Sequence, residues 1–161
     1  MGNFFEDVIK KSSKFHSTNR VSDENLLEPN VLRKVKTIIE EAHAHGVDLM
    51  IFETYRSQER QKALFEQGAS KLRQVGVHHY GLACDIVKVV HGEPSWKGSF
   101  DLLGHLATSH QLIWGGDWGK PGAKHSFVDA VHVQWCSLAD QAKLFAGTWY
   151  PDDSYNPYKH L

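Results

Sequence analysis

The sequence predicts an α+β fold in which a small antiparallel sheet is flanked by helices, all within one domain. Apolar residues recur at helical spacing over residues 31–42 and give an amphipathic helix one buried face. Residues 47–54 and 83–90 are rich in strand-forming residues, and their apolar positions alternate in part. Residues 129–135 have the same character and return a further strand to the sheet. The length of 161 residues is typical of one domain with its own core.

Composition divides the chain into three segments. Residues 1–25 are polar with scattered phenylalanines and predict an N-terminal arm or a short helix. Residues 26–147 carry the helical and strand patterns and form the predicted domain. Residues 148–161 are rich in tyrosine, proline and aspartate and predict a C-terminal strap.

Capping residues mark where further helices begin and end within the domain. Gly46 follows the first helix as a C-terminal cap, and Ser57 can cap the next helix at its N-terminus. Ser137 and Asp140 resemble a capping box. The sequence therefore predicts three more helices, over residues 58–67, over residues 100–110, and from the Ser137 cap through residue 145.

The charge balance and the hydropathy argue against two classes of partner. The formal net charge is -1 at pH 7, so the chain offers no electrostatic footprint for nucleic acid. No apolar run approaches the roughly 20 residues that span a bilayer, so we expect no membrane insertion. The N-terminus lacks the apolar core of a secretory signal, and we therefore expect the protein to stay in the cytoplasm at first.

The chain has two cysteines, Cys84 and Cys136, which is too few for a disulfide framework. Strand alternation places them on opposite faces unless a bulge intervenes. We therefore predict two buried free thiols that pack as small apolar groups.

Two imidazoles and two carboxylates stand at spacings that suit a catalytic zinc site. His78 and Asp85 flank a glycine turn, and Asp129 and His132 stand three residues apart further along. A catalytic zinc takes three protein ligands of these types and keeps a fourth position for water. With 11 histidines in the chain one such pair alone is weak evidence, and His79 competes with His78 for the ligand role. We interpret His78, Asp85 and His132 as the ligands of a Zn²⁺ ion.

The residues around these ligands resemble a known family, the M15 zinc peptidases of the D-alanyl-D-alanine carboxypeptidase and L-alanyl-D-glutamate endopeptidase type. The family motif Ser-x-His-x-x-Gly-x-Ala-x-Asp is reproduced from His78 to Asp85, with Gly76 in place of the serine. The segment 114–118 resembles one that is typical of the endopeptidase branch. The resemblance covers most of residues 26–136.

The resemblance implies roles for residues outside the ligand set. Asp129 matches the family's catalytic acid and is the implied general base. Arg56 is implied as a cation that holds the scissile carbonyl oxygen or a substrate carboxylate, although a surface salt bridge is the simpler hypothesis for an arbitrary arginine. Further candidates, for the wall of the substrate cleft, are Gln61, Asp117 and Trp118.

The activity that the resemblance implies is hydrolysis of the bacterial peptidoglycan stem peptide, between L-alanine and D-glutamate. Together with the N-terminal sequence, it suggests a phage-type endolysin that stays in the cytoplasm until lysis and then acts on the cell wall. One alternative is a D-alanyl-D-alanine carboxypeptidase. Another is a non-catalytic cell-wall-binding module that zinc stabilises. We expect a monomer.

Overall fold

The computed structural model describes residues 4–68, 76–118 and 128–146. Within these residues the helices are α1 (Pro29–Ala44), α2 (Gln58–Glu66), α3 (Asp101–Ser109) and α4 (Leu138–Ala146), and the strands are β1 (Leu49–Glu53), β2 (Ala83–Val90), β3 (Glu93–Ser95), β4 (Ile113–Trp114) and β5 (His132–Gln134). The predicted strap, residues 148–161, and the domain end at residue 147 lie outside the described residues. None of the described helices is long and apolar enough to cross a membrane.

The strands form one antiparallel sheet in which β2 pairs with three others. The order is β1-β2-β5-β4, and β3 pairs with the C-terminal end of β2. Every pairing is antiparallel. Helix α1 contacts both β1 and α3, so it covers the sheet from one side. The predicted class, α+β with a small antiparallel sheet flanked by helices, is confirmed.

Helix α1 begins next to the turn at Gly81, to which its N-terminal cap is hydrogen-bonded. The carboxylate of Glu28 accepts hydrogen bonds from the first N–H groups of the helix, and Pro29 occupies its first position, where a proline is well tolerated. The Glu28 N–H donates to the Gly81 carbonyl at 2.9 Å. Gly81 has a φ of +73°, and a Cβ there would lie 2.8 Å from the Leu26 carbonyl oxygen, so only glycine fits. The buried face of α1 consists of Val31, Val35, Ile38 and Ala42.

The N-terminal segment packs into the same core as the sheet. It contains a π-helical turn, Phe5–Ile9, and a 3-10 turn, Glu24–Leu26. Phe4 and Val21 are also buried in the hydrophobic cluster that includes the side chains of α1 and β2. The segment thus contains two short helical turns, and its assignment as an arm or short helix ending at residue 25 stays a prediction.

Two of the strands are shorter than the apolar patterns predicted, whereas β2 covers the predicted residues 83–90. The prediction for residues 129–135 reduces to β5, because Asp129 turns away from the ladder: its N–H donates to the Gly115 carbonyl at 2.9 Å, and its own carbonyl accepts from the His132 N–H at 3.1 Å. Strand β1 likewise covers the middle of the predicted 47–54 segment. The ladder needs alternating backbone hydrogen bonds with a neighbour, which a run of strand-forming residues does not guarantee.

Both cysteines are buried and free, as the sequence predicted. Burial raises the pKa of the Cys136 thiol to about 12 and that of the Cys84 thiol well above its ordinary value. Both groups therefore stay protonated at neutral pH and behave as small apolar side chains.

Candidate active site

The three predicted ligand residues converge at one point. Asp85 of β2 lies directly opposite His132 of β5 in the antiparallel register. His78 lies on a one-turn 3-10 helix, Val77–Tyr80, that leads into β2 through the Gly81 turn. One ligand atom from each of the three residues lies within 4.8 Å of the others. A turn, the strand that follows it and a strand distant in sequence therefore place an N, O, N donor set together.

A backbone carbonyl fixes the tautomer of His78. The Nδ1 atom lies 2.8 Å from the Thr54 carbonyl oxygen, which can only accept, so Nδ1 carries the proton and Nε2 carries the lone pair. This Nε2 is buried without a hydrogen-bond partner in the described part of the chain, and it lies 3.3 Å from Oδ1 of Asp85. His78 would therefore bind a metal through Nε2.

A side-chain amide fixes His132 in the other tautomer, with the proton on Nε2. Its Nε2 lies 2.8 Å from Oε1 of Gln134, whose NH₂ group donates to the Cys136 carbonyl at 2.6 Å and to Gln141 at 3.1 Å. Because those two acceptors fix the amide orientation, Oε1 faces the imidazole and Nε2 of His132 carries the proton. Nδ1 then has the lone pair, 3.4 Å from Oδ1 of Asp85.

Two buried acceptor atoms at this point lack hydrogen-bond partners within the described residues and would be stabilised by a metal ion. Oδ1 of Asp85 is buried and, like Nε2 of His78, has no hydrogen-bond partner among the described residues. Burying such acceptors without a partner is unfavourable, and a cation relieves the cost. Burial raises the pKa of Asp85, but nearby His78 and His132 outweigh it and hold that pKa well below its ordinary value. Two imidazole nitrogens and an ionised carboxylate oxygen are ligand types that zinc takes at a site with three protein ligands.

Arg56 touches the ligand group itself. Its Nη2 atom donates to Oε1 of Glu53 at 2.6 Å and to Oδ2 of Asp85 at 3.3 Å, and Nη1 donates to Oε1 of Gln61 at 3.3 Å. Burial lowers the pKa of Arg56, but Asp85 and Glu53 more than compensate and raise it. The hypothesis of an ordinary surface salt bridge is wrong, because the guanidinium is largely buried beside the site. Its contact with substrate stays a prediction, and Nε has no partner among the described residues.

Asp129 lies beside the ligand group without belonging to it. Burial and the charge of Asp85 raise the pKa of Asp129, while His132, His78 and Arg56 act in the opposite direction. These mutual effects place its carboxylate in the electrostatic field of the site. Gly115 holds the backbone, because a Cβ there would collide with the Asp129 carbonyl. The position suits a base, and the role stays a prediction.

The cleft candidates occupy different surroundings. Gln61 is buried and contacts Arg56, as described above. The ring of Trp118 packs on His132 with 5.1 Å between centroids. Asp117 is exposed and lines a surface cavity of about 460 Å³ together with His105 and other residues of α3, none of which is a proposed ligand. The structure thus brings Gln61 and Trp118 to the site, and all three roles in substrate binding stay predictions.

His79 is not part of the ligand group. Its ring packs against Phe5, Phe15 and Tyr55 with centroids 5.6 to 5.7 Å apart. Burial lowers the pKa of His79, so it is neutral near pH 7. Of the two competing histidines, only His78 is among the three residues whose ligand atoms converge.

Two residues that support the site were not predicted from the sequence. Glu53 accepts hydrogen bonds from Arg56 and Arg60 and is 2% exposed. Gln134, also 2% exposed, orients His132. Each carried a signal in the sequence, since Glu53 is a carboxylate within an apolar strand and Gln134 lies two residues after His132, on the same face of a strand.

Comparison with known proteins supports the resemblance to the family. The sequence model of VanY, D-alanyl-D-alanine carboxypeptidase, matches residues 24–103, which include the first two proposed ligands. The resemblance to the M15 zinc peptidases is confirmed. Residues beyond 103, including Asp129 and His132, lie outside the match to the VanY model.

Two relatives extend the similarity beyond that segment. The L-alanyl-D-glutamate peptidase of Listeria phage A118 is 26% identical over 126 residues, which are 76% of this chain and 42% of the phage protein. The peptidoglycan L-alanyl-D-glutamate endopeptidase CwlK of Bacillus subtilis (strain 168) is 27% identical over 143 residues, which are 75% of this chain and 82% of that protein. The chain therefore spans less than half the length of the phage relative and most of the Bacillus one.

Two solved structures share the fold. The L-Ala D-Glu endopeptidase ChiX of Serratia marcescens has a TM-score of 0.53 and 24% identity, and the match covers 78% of this chain and 93% of ChiX. The vancomycin resistance D,D-pentapeptidase VanY, an E175A mutant in complex with Zn(II), has a TM-score of 0.54 and 14% identity. That match covers 80% of this chain and 83% of the other. The VanY-type fold is thus shared across the domain.

Proposed function

We propose that this chain is a zinc-dependent peptidase that hydrolyses the stem peptide of bacterial peptidoglycan. One observation carries the proposal: Nε2 of His78, Oδ1 of Asp85 and Nδ1 of His132 converge. In each residue the other ring nitrogen or carboxylate oxygen is hydrogen-bonded to a neighbouring group. The relatives support the substrate, since the phage and Bacillus proteins are named for peptidoglycan or its L-alanyl-D-glutamate bond. The VanY structure in complex with Zn(II) supports the choice of metal.

The residues of this chain divide the chemistry among them. When bound by the three ligands, zinc supplies a Lewis acid that lowers the pKa of water to about 7. Asp129 accepts a proton from the attacking water and returns it to the leaving amine. Arg56 places a buried cation beside the ligand carboxylate, where its positive charge stabilises the developing oxyanion. Trp118 packs against His132 and limits the movement of that ring.

For the bond that is cut, we propose the link between L-alanine and D-glutamate. A carboxypeptidase needs a cation to capture the terminal carboxylate of its substrate, in addition to the oxyanion donor. Arg56 and Arg60 both donate to Glu53, so the negative charge of Glu53 offsets part of theirs. The two relatives named for the L-alanyl-D-glutamate bond agree with this choice. The D-alanyl-D-alanine carboxypeptidase remains the second candidate, because the VanY model carries that activity in its name.

We further propose the role of a phage-type endolysin that acts on the cell wall after lysis begins. The Listeria phage relative supports it. Residence in the cytoplasm before lysis, the monomeric state and the absence of nucleic-acid binding stay predictions.

Peptidoglycan turbidity tests the proposed activity. Purified protein with zinc should clear a suspension of purified peptidoglycan, and removal of the metal with a chelator should abolish clearing until zinc is returned. Elemental analysis should find one zinc per chain. Full activity in metal-free protein would exclude the zinc mechanism. Protein that binds zinc and peptidoglycan but never clears the suspension would instead identify the non-catalytic binding module.

A further inference from the structure

The buried carboxylate of Glu53 lies beside the ligand carboxylate of Asp85. Glu53 ends β1, and the sheet register places it opposite Asp85 on β2, after an irregularity between Ile51 and Glu53. Both side chains are largely buried, with 3% and 13% of their surfaces exposed. Two like charges this close to each other are unfavourable unless a cation lies between them.

Arg56 is that cation, and it is shared unequally. Nη2 of Arg56 lies 2.6 Å from Oε1 of Glu53 and 3.3 Å from Oδ2 of Asp85. The other oxygen of Glu53 accepts from Nε of Arg60 at 3.1 Å. Both oxygens of Glu53 are therefore in use, and the shorter contact of Arg56 is with Glu53 rather than with Asp85.

We propose that Glu53 is a positioning residue for the metal site: it holds Arg56 to a single contact with Oδ2 of Asp85 and so leaves Oδ1 for the metal. Guanidinium and carboxylate groups prefer a bidentate pairing, with two parallel hydrogen bonds. Glu53 prevents that pairing, because it draws the guanidinium towards β1 and away from the metal ligand. It also offsets the positive charge that Arg56 places near a divalent cation.

The consequence of losing this carboxylate follows from the same contacts. In a Glu53→Gln variant the amide keeps nearly the same shape but attracts Arg56 less. Arg56 then pairs with both oxygens of Asp85, so Oδ1 is no longer available to the metal. The loss of the Glu53 carboxylate also makes the net charge of the site more positive by one. Both changes weaken metal binding. Groups that orient a metal ligand commonly change metal affinity or activity by about 10–100-fold when they are substituted.

Zinc affinity, measured by competition with a chromophoric chelator, tests the proposal without relying on catalysis. Glu53→Gln should bind zinc about 10–100-fold more weakly than the unmodified protein. The matched control is Glu24→Gln, which removes a surface carboxylate that pairs with Lys36 and should leave the affinity unchanged. Glu53→Asp keeps the charge with a shorter reach, so its affinity should lie between those of Glu53→Gln and the unmodified protein. It also decides the matter if Glu53→Gln does not fold.

The link to turnover rests on the proposed function and is measured separately. With zinc saturating, kcat of Glu53→Gln on peptidoglycan fragments should fall while KM changes little, because the shift of Arg56 changes where its positive charge lies relative to the developing oxyanion. A folded Glu53 variant with unmodified zinc affinity would overturn the positioning role, whatever its activity. If the unmodified protein lacks peptidase activity but Glu53→Gln still binds zinc weakly, the proposed function fails and the positioning role stands.

Discussion

At the scale of single residues, the separation of ligand from base gives the sharpest test of the site. Asp129 is coupled electrostatically to His132 and Asp85 but is not one of the three converging ligands. Asp129→Asn should therefore keep most of the zinc and lose about 10²–10⁴-fold in kcat, the range usual for removal of a general base. His132→Ala should lose both zinc and turnover, because one of the three ligand atoms is gone. Elemental analysis and peptidoglycan turnover on the same samples measure both.

One result would contradict the assignment of Asp129 as the base. If Asp129→Asn lost zinc to the same extent as His132→Ala, Asp129 would be a ligand and the base would have to be sought elsewhere. His79→Ala is the matched histidine control, because its ring packs among aromatic side chains rather than in the ligand group. It should keep the metal.

The identities of the ligand residues could be predicted from the sequence, but their ligand atoms could not. Spacing and resemblance pointed to His78, Asp85 and His132, which the fold brings together. Which nitrogen carries the lone pair depends on acceptors supplied by Thr54 and Gln134. Such partners are chosen by packing between separate elements, and no sequence spacing encodes them.

At the scale of elements, the indole of Trp114 is wedged between two glycines. A Cβ on Gly104 of α3 or on Gly116 would collide with the indole ring. The indole N–H donates to the Ala130 carbonyl at 2.8 Å, next to Asp129. The two glycines thus let one tryptophan join α3 to the loop that carries the proposed base.

Gly104→Ala should be destabilising although alanine is the better helix former. Alanine gains about 1 kcal/mol over glycine within a helix. Overpacking against the indole costs about 1–3 kcal/mol, and weakening the bond to Ala130 adds about 1 kcal/mol. We expect a net loss of about 1–3 kcal/mol in the free energy of unfolding, measured by chemical denaturation.

Thr108→Ala in the same helix is the control. Thr108 is exposed, so helix propensity alone should raise its stability by a few tenths of a kcal/mol, roughly. A Gly104→Ala protein as stable as the unmodified one would mean that the indole has room to move, and the proposed link between α3 and the Asp129 loop would be wrong.

The helices were better predicted than the strands, for a physical reason. The apolar period of α1 and the cap at Ser57 are local features, and both appear where the sequence placed them. Strand β5 is shorter than its apolar run, because its ends follow from hydrogen bonds that Asp129 makes with Gly115. Neither Gly115 nor Gly116 has a positive φ. Both positions require glycine because a Cβ would collide with Asp129 at position 115 and with Trp114 at position 116.

At the scale of the whole molecule, the N-terminal segment hydrogen-bonds to Thr54, which orients the ligand His78. The Val21 carbonyl accepts from the Thr54 N–H at 2.8 Å, and the Thr54 carbonyl in turn accepts from His78. The Tyr55 hydroxyl donates to the Phe15 carbonyl at 2.6 Å. Scattered phenylalanines in a polar stretch gave no periodic signal, so the sequence alone could not show that this segment completes the core.

The whole substrate groove, rather than any one residue, decides which peptide bond is cut. A stem peptide that is cut internally must extend beyond the site on both sides, whereas a carboxypeptidase ends its groove with a cation for the terminal carboxylate. Because Glu53 offsets part of the charge of Arg56 and Arg60, we expect internal cleavage between L-alanine and D-glutamate. Mass spectrometry of digested peptidoglycan should find new D-glutamate amino termini, and the Asp129→Asn protein should produce them about 10²–10⁴-fold more slowly. Release of free D-alanine without those termini would establish the carboxypeptidase instead.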